Sequence, residues 1–345
     1  MKAAVWHAKE DIRIEEVPDP TPASGEVVIQ VERTGICGTD LHEYTSGPLF
    51  AIPQTILGHE YSGTVVDMAR DVTGFRVGDR VAGVGVTGCG VCYYCRHGLT
   101  GICDSPTFIG LRRPGALAPL ASMPASALFV VPDELSLAEA ALVEPLGVAF
   151  HAVRRSRLAP GETVYVAGAG PIGLGVIQTA RAAGASEIIV SEVSSRRRAA
   201  ATELGATRVI DPTIEDTLEI TRSLTFGRGA DVGFDTAGVQ AAFDPAIAAI
   251  RKRGRFVVVA AWERPAAFEM SGPLLREIEL IFTFCYEAEE EIPQLLKLLA
   301  RGDIQAAPMI TSEIPLDAVV AKGFQELRDH RDVQVKILVN PAVSA

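Results

Sequence analysis

Apolar and polar residues alternate through the first 35 positions. MKAAVWHA, DIRIEEV and GEVVIQVER each carry the period-two pattern of a half-buried strand, and the turn-rich PDPTPASG precedes the third. The chain therefore opens as an all-β region. Residues 58–86 continue it as short strands broken by Gly-Asp turns. Between the two, Cys37 sits on a glycine-flanked turn, and Thr39 or Asp40 is placed to cap a short helix carrying His42. Residues 137–153, LAEAALVEPLGVAFHAV, have the periodicity of an amphipathic helix with Pro145 in its interior.

From about residue 161 the pattern changes to alternating strand and helix. ETVYVAG, SEIIVSE, TRVI, DVGFDTAG, RFVVVAA and LIFTF read as strands. PIGLGVIQTARAAG, SSRRRAAATELG, TIEDTLEITRSL and VQAAFDPAIAAIRKRG read as helices between them. Continuous Val/Ile runs between helices imply a parallel sheet covered on both faces, and six strands match a doubly wound α/β dinucleotide fold. After about residue 285 the rhythm stops. EAEEEIPQLLKLLARGD is an amphipathic helix, followed by a proline-rich turn, a short helix (PLDAVVAKGFQEL) and a terminal strand (QVKILVN) that returns to the first domain. The expected domains are 1–148, with a cysteine lobe at 88–104, then 149–286, with 287–345 completing the first.

Composition narrows the classes. The chain has 345 residues, 48% hydrophobic and 22% charged, which suits two packed domains and excludes disorder. A net charge of −11 argues against nucleic acid or an anionic membrane as partner. The first residues lack the basic start and apolar core of a signal peptide, and no run of about 18 apolar residues appears, so a cytoplasmic protein with no membrane span is expected.

The chemistry is concentrated in Thr34 to Glu60, which holds Cys37, Asp40, His42, His59 and Glu60. A thiolate, an imidazole and a carboxylate suit Zn²⁺ better than Mg²⁺ or Ca²⁺, and three protein ligands with a free fourth position make a catalytic site. Taken singly, Cys37 could equally be a core cysteine and His59 a hydrogen-bonded turn histidine. Residues 88–103 read GCGVCYYCRHGLTGIC, so Cys89, Cys92, Cys95 and Cys103 have the spacing C-x2-C-x2-C-x7-C. Four thiolates satisfy tetrahedral zinc completely and would make a structural site that supplies the lobe's folding energy. An iron–sulfur cluster would want a shorter last spacing followed by proline, and a nucleic-acid ribbon a basic surround. Cys285 reads as a buried core residue. Glu144 lies in an otherwise apolar stretch, where a carboxylate is paired or metal-bound; the alternatives are the zinc site and an arginine such as Arg154 or Arg155.

The first turn of the second domain is Gly168-Ala169-Gly170-Pro171-Ile172-Gly173, between a strand and a helix as the G-x-G-x-x-G fingerprint requires. Gly168 makes the turn, Gly170 admits the pyrophosphate, Gly173 lets helix and strand approach, and the helix N-terminus faces the phosphates. Glu192 ends the second strand, 19 residues after Gly173. A carboxylate there bonds the adenine-ribose 2′-hydroxyl and repels a 2′-phosphate, so NAD is expected over NADP. The run Arg196-Arg197-Arg198 could instead accept a phosphate, or be a solvated helix face with one arginine, Arg197, near the adenosine.

Together CGTDLHEY, LGHEYSG, VGDRV, the four-cysteine lobe, VEPLGVAFHAVRR, GAGPIG and Glu192 resemble the zinc-dependent medium-chain alcohol and polyol dehydrogenases over essentially the whole chain. DLHEYTSGP, EPLGVAFHAVRRS, VSEVSSRRR and AAWERPAAFEM are most similar to the butanediol dehydrogenase branch. The resemblance implies a GroES-like β-rich catalytic domain, a Rossmann domain, and a homodimer or homotetramer built partly through the last Rossmann strand. It implies Cys37 and His59 as catalytic zinc ligands, Glu60 and Glu144 as the remaining carboxylate ligands, and the four cysteines as structural zinc ligands. It gives Thr39 the substrate proton, His42 the outer end of the relay through the nicotinamide ribose, and Asp40 the orientation of His59. The implied reaction is NAD-dependent interconversion of 2,3-butanediol or a similar vicinal diol with acetoin or diacetyl, the alternatives being sorbitol, another polyol, or L-threonine. Two segments depart from the branch. The stretch between Tyr44 and Gly58 is shorter, and the family's Gly-Gly-Phe-Ala-Glu-Tyr is here GALAPLA at 115–121. Both border the family's substrate cleft, so the resemblance carries the chemistry further than the substrate. A non-catalytic NAD-binding relative would have lost zinc ligands or Thr39, and a zinc-free quinone reductase would lack both metal sets.

Overall fold

The opening alternation becomes the strands Lys2–Ala8, Asp11–Glu16 and Glu26–Gly35. The computed structural model describes residues 1–330 and 332–343. The first two strands pair antiparallel, and Thr55–Ile56 adds to Lys2–Ala8. Glu26–Gly35 runs through the middle of a seven-stranded sheet, between Glu60–Met68 and the terminal strand Lys336–Asn340. Trp6, Tyr44, Leu57, Leu117, Phe324 and Ile337 fill the core under these strands.

The tail contains more structure than its sequence pattern suggests. The stretch read as a proline-rich turn holds the strand Ile310–Pro315, which pairs parallel with Lys336–Asn340. Pro308 and Pro315 bracket only six residues, and a strand that short leaves little alternation to read. The helix expected at PLDAVVAKGFQEL is a 3₁₀ turn (Leu316–Ala318), a π-helical stretch (Val319–Phe324) and an α-helical turn (Gln325–Asp329) in succession.

The second unit is a six-stranded sheet, parallel throughout. Its strands are Thr163–Ala167, Glu187–Ser191, Arg208–Ile210, Ala230–Asp235, Ile250–Val258 and Glu279–Phe282, in spatial order third, second, first, fourth, fifth, sixth. This is the doubly wound order, and the crevice for a dinucleotide lies where it reverses, beyond the carboxyl end of the first strand. The helix expected through IRKRG stops at Ala248, and those residues begin the fifth strand. One compact unit comprises 1–144, 287–301 and the stretch from 306 onward, and the other 145–286 with 302–305. Among the described residues, no helix is long and apolar enough to cross a membrane.

Candidate metal centres and dinucleotide turn

Antiparallel register brings Cys37 and His59 together. Gly35 pairs with Glu60 at one end of the ladder, so Cys37 and His59 both fall just beyond that same end. The helix Gly38–Ser46 starts at once. Cys37 keeps extended backbone and is its cap, while Asp40, inside the first turn, reaches back to accept the Cys37 N–H at 3.0 Å. The cap is thus neither Thr39 nor Asp40, because the chain turns helical two residues earlier than a Thr39 cap would place it and three earlier than an Asp40 cap. The rest of the helix sorts by face. Asp40, Leu41, Glu43 and Tyr44 are buried, and Thr39 and His42, three apart, share a half-buried face.

His59 Nδ1 lies 3.4 Å from Asp40 Oδ1, and both atoms are buried without a hydrogen-bond partner. Burial alone would lower the His59 pKa, but the Asp40 carboxylate and the Cys37 sulfur outweigh it and hold it well above the usual value. Glu144 is buried in the first turn of the helix Val143–Ser156. Pro145 beside it is also in that first turn, not the interior, because a separate short helix, Leu137–Ala140, precedes this one. A proline there forfeits no intrahelical bond. Arg154 and Arg155 sit exposed at the other end, about 15 Å away at the helical rise per residue. The Glu144 carboxylate faces Gly85 instead. A Cβ on Gly85 would stand 3.3 Å from Glu144 Oε1 and 3.1 Å from His59 Cβ. Glycine at 85 therefore leaves the space that Glu144 and His59 share.

Glu60 is placed differently. Both its oxygens lie 2.6 Å from Lys336 Nζ, and the pair is almost completely buried. No three of Cys37, Asp40, His59, Glu60 and Glu144 have ligand atoms mutually within 4.8 Å; among the described residues the group that does is Cys89, Cys92, Cys95 and Cys103. Cys37, His59 and Glu144 nevertheless offer a thiolate, an imidazole and a carboxylate from neighbouring backbone positions. That donor set fits zinc with a fourth position open.

The four-cysteine lobe is built locally. Tyr93–Arg96 is a single helical turn capped by Cys92, and Thr100–Ile102 a 3₁₀ turn. Backbone N–H groups already point at sulfur: Cys89 N and Ser105 N at Cys103 Sγ (3.2 and 3.3 Å), and Cys95 N at Cys92 Sγ (3.4 Å). All are free thiols. The N–H groups of Cys95 and Asp104 pull the Cys92 thiol down to about 6, whereas desolvation and the neighbouring sulfurs push Cys95 up to about 12. Cys285, expected in the core, is only partly buried, with φ at 50°.

In the second unit, Gly168 follows the first strand with φ at +95°, and a Cβ on Gly173 would stand 2.2 Å from the Gly168 carbonyl oxygen, so neither position accepts a side chain easily. Pro171 opens the helix Pro171–Ala182 and Ile172 follows it, with Gly170 as cap. A Cβ on Gly170 would meet nothing nearer than Arg197 Nη1 at 4.0 Å. The room a pyrophosphate needs is therefore present, with a guanidinium at its border. Glu192 is buried; Oε2 accepts the Ala169 N–H at 2.7 Å and Oε1 the Ser194 N–H at 2.8 Å. Arg198 is paired with Asp211 at 2.9 Å.

A doubly wound sheet with this turn, in one chain with a β-rich unit carrying a four-thiolate cluster, defines a nicotinamide-dependent oxidoreductase that uses zinc. Residues 23–133 match the alcohol dehydrogenase GroES-like domain and residues 171–301 the zinc-binding dehydrogenase domain. The chain is 37% identical to the (R,R)-butanediol dehydrogenase of Bacillus subtilis, over 99% of this chain and 100% of that one. It is 34% identical to the sorbitol dehydrogenase of the same organism, over 99% and 97%. A crystal structure of 2R,3R-butanediol dehydrogenase from Bacillus subtilis superposes with a TM-score of 0.90 at 36% identity, covering 99% of both chains. The chain belongs to the zinc-dependent medium-chain alcohol dehydrogenase family.

Two residues of the site were not singled out in the sequence. Lys336 carried a signal, as a lysine inside an otherwise apolar terminal strand. Glu43 carried none. It is fully buried and accepts the N–H groups of Leu49, Phe50 and Ala51 at 2.9, 2.6 and 3.1 Å, which shapes the shortened segment after Tyr44.

Proposed function

We propose that this enzyme interconverts a secondary alcohol, best a vicinal diol such as 2,3-butanediol, and its ketone, with NAD as partner. The observation that carries the reading is that Cys37 and His59 lie at one end of a strand pair, with Glu144 and His59 both facing Gly85, beside a helix that presents Thr39 and His42 on one face. Zinc held by those three would supply the Lewis acidity that makes an alcohol proton labile, and NAD the hydride acceptor. Thr39 takes that proton, and His42, one turn further along, passes it outward. Asp40 fixes the ring of His59 from behind. The butanediol assignment over sorbitol or threonine draws its support from the relatives; the segments around 45–57 and 115–121 are where substrates would be told apart.

The test is a steady-state comparison of 2,3-butanediol stereoisomers, sorbitol and threonine with NAD. The reading expects kcat/KM for one butanediol isomer at least about tenfold above the rest, a gap of ~1.4 kcal/mol. Equal weak rates on all of them would leave the family chemistry and remove the diol. NAD preference is supported by the buried Glu192 beneath the glycine-rich turn. Glu192→Gln keeps an acceptor for the Ala169 N–H and removes the charge. It should cut the NAD-to-NADP ratio of kcat/KM by about tenfold, the scale of one charge-assisted hydrogen bond; an unchanged ratio would assign the preference elsewhere. For self-association, the edge strand Glu279–Phe282 leaves Phe282 exposed, with Leu274 and Leu275 exposed just before it. A mass near twice or four times 36.6 kDa by light scattering would support a dimer or tetramer.

A further inference from the structure

Asp235 ends the fourth strand of the doubly wound sheet and is completely buried. It is in register with Ala167, the last residue of the first strand, so it stands at the carboxyl end of the sheet, beside the point where the strand order reverses. Its carboxylate meets three donors. Oδ1 accepts the N–H groups of Ala237 and Gly238 at 3.2 and 3.0 Å, and Oδ2 accepts the indole N–H of Trp262 at 2.8 Å. Backbone amides and an indole can only donate, so the place is built for the ionised carboxylate. Burial pushes the carboxyl's pKa up and those three donors pull it back, with no charged group taking part. A buried carboxylate without a cation is costly. A neutral Asn or Ser would cap such a turn as well, so the turn alone does not account for the charge.

The turn that Asp235 caps lies against the dinucleotide turn. Thr236 Oγ1 donates to the carbonyls of Ala167 and Gly168 at 2.8 and 3.0 Å, and a Cβ on Gly168 would stand 3.1 Å from Ala237 Cβ. Trp262 packs edge-on against Phe243 of the helix Gln240–Ala248, with ring centroids 5.4 Å apart, which steadies the indole on Asp235. A doubly wound sheet takes the two halves of a dinucleotide on either side of the reversal. Glu192, directly after the second strand, marks the adenosine half, so the fourth strand belongs to the nicotinamide half. We infer that Asp235 supplies the nicotinamide half with a fixed negative charge that favours the positively charged ring of NAD⁺ over the neutral ring of NADH. The inference rests on the reading that the Gly168–Gly173 turn binds a nicotinamide dinucleotide. Unequal affinity for the two forms is a coupling between cofactor binding and cofactor reduction, so the same charge lowers the potential of the bound couple.

The experiment measures Kd for NADH, by its own fluorescence, and Kd for NAD⁺, by displacement of NADH. A wild type that binds neither form would overturn the dinucleotide reading and this inference with it. Asp235→Asn alone would set an amide N–H₂ against the Trp262 indole N–H, so it is combined with Trp262→Phe, and Trp262→Phe alone is the reference. The reference keeps the carboxylate and should leave the ratio of Kd for NAD⁺ to Kd for NADH at its wild-type value. Asp235→Asn/Trp262→Phe should raise that ratio by about tenfold, the scale of one unit charge acting across a partly screened interior. For a two-electron couple this is ~30 mV in the potential of the bound cofactor. A carboxylate that merely caps its turn predicts the same change in both constants, and an unchanged ratio would overturn the inference. So would an equal shift in Trp262→Phe alone, where the charge is still present. Asp235→Ser keeps an acceptor for the turn and covers the case where the double variant does not fold. It should raise the ratio in the same direction, and a ratio equal to wild type there would overturn the inference too.

Discussion

The two candidate metal sites are built in opposite ways. The four-cysteine lobe takes every donor from 15 consecutive residues, arranges them around short helical turns, and brings all four sulfurs within 4.8 Å of one another. The other site takes Cys37 from the end of one strand, His59 from the start of another, Glu144 from a helix and Lys336 from the last strand. His59 and Glu144 are buried and Cys37 partly so, no three of the candidate donors lie mutually within 4.8 Å, and Asp40 and Glu60 are turned onto a backbone N–H and an ammonium. The lobe is a closed set that can do nothing but hold a metal. In the second site the extra carboxylates are bound to protein partners. A closed site can be local, because it serves only itself. An open site has to be framed by several elements, because each donor must be kept from collapsing onto the others.

That contrast breaks first at Cys37. Cys37→Ala should lower kcat by about a thousandfold or more, as expected when several kcal/mol of charge stabilisation are lost, while NAD still binds and the lobe keeps its zinc. Cofactor binding followed by fluorescence, with metal counted per chain, checks it. Full activity in this variant would end the zinc mechanism. Next comes Cys92→Ser, where the loss should fall on stability. Residues 88–104 would lose their metal and their fold, lowering Tm by about 5–10 °C, while the Cys37 site still binds its own zinc. A Tm equal to wild type with one zinc lost would mean that the lobe holds metal without depending on it.

The same contrast decides what could be read from the sequence. The C-x2-C-x2-C-x7-C spacing and Gly168 to Gly173 were legible because their geometry is fixed by near neighbours. The six strands of the second unit were legible because a strand buried on both faces has to be a run of Val and Ile. Cys37, His59 and Glu144 could be flagged one by one from their chemistry, but only the family pattern joined them into one set, since nothing local links residues so far apart in the chain. Lys336 stood out only as a lysine in an apolar strand, because its reason for being charged lies 276 residues away, at Glu60. Glu43 was hidden because a carboxylate that ties down backbone N–H groups looks in sequence like any acid on a helix. The strand Ile310–Pro315 escaped because its pairing, not its own pattern, makes it a strand. Pro145 and the Cys37 cap show the finer limit: helices were found, but the residue at which each begins depends on the turn before it.

The smallest expected effect falls on the four-cysteine lobe. Zinc binds thiolates, so each thiol still protonated in the metal-free protein gives up a proton on binding. Cys92 titrates at about 6 and Cys95 at about 12 in the metal-free lobe, because backbone N–H groups stabilise the Cys92 thiolate while desolvation opposes that of Cys95. Cys92's pKa is depressed, so its thiolate is present above about 6 and lost as pH falls through that value. At pH 7.5 Cys92 has no proton to give, and zinc binding should release fewer than four. As pH falls through about 6, Cys92 becomes a thiol and the number released should rise by about one. Calorimetric zinc titration of the stripped Cys37→Ala variant, which leaves the lobe as the site measured, counts these protons when repeated in buffers of different ionisation enthalpy. A release that stays constant from pH 5 to pH 8 would mean that no thiolate waits in the lobe, and that its readiness for metal is a property of spacing alone.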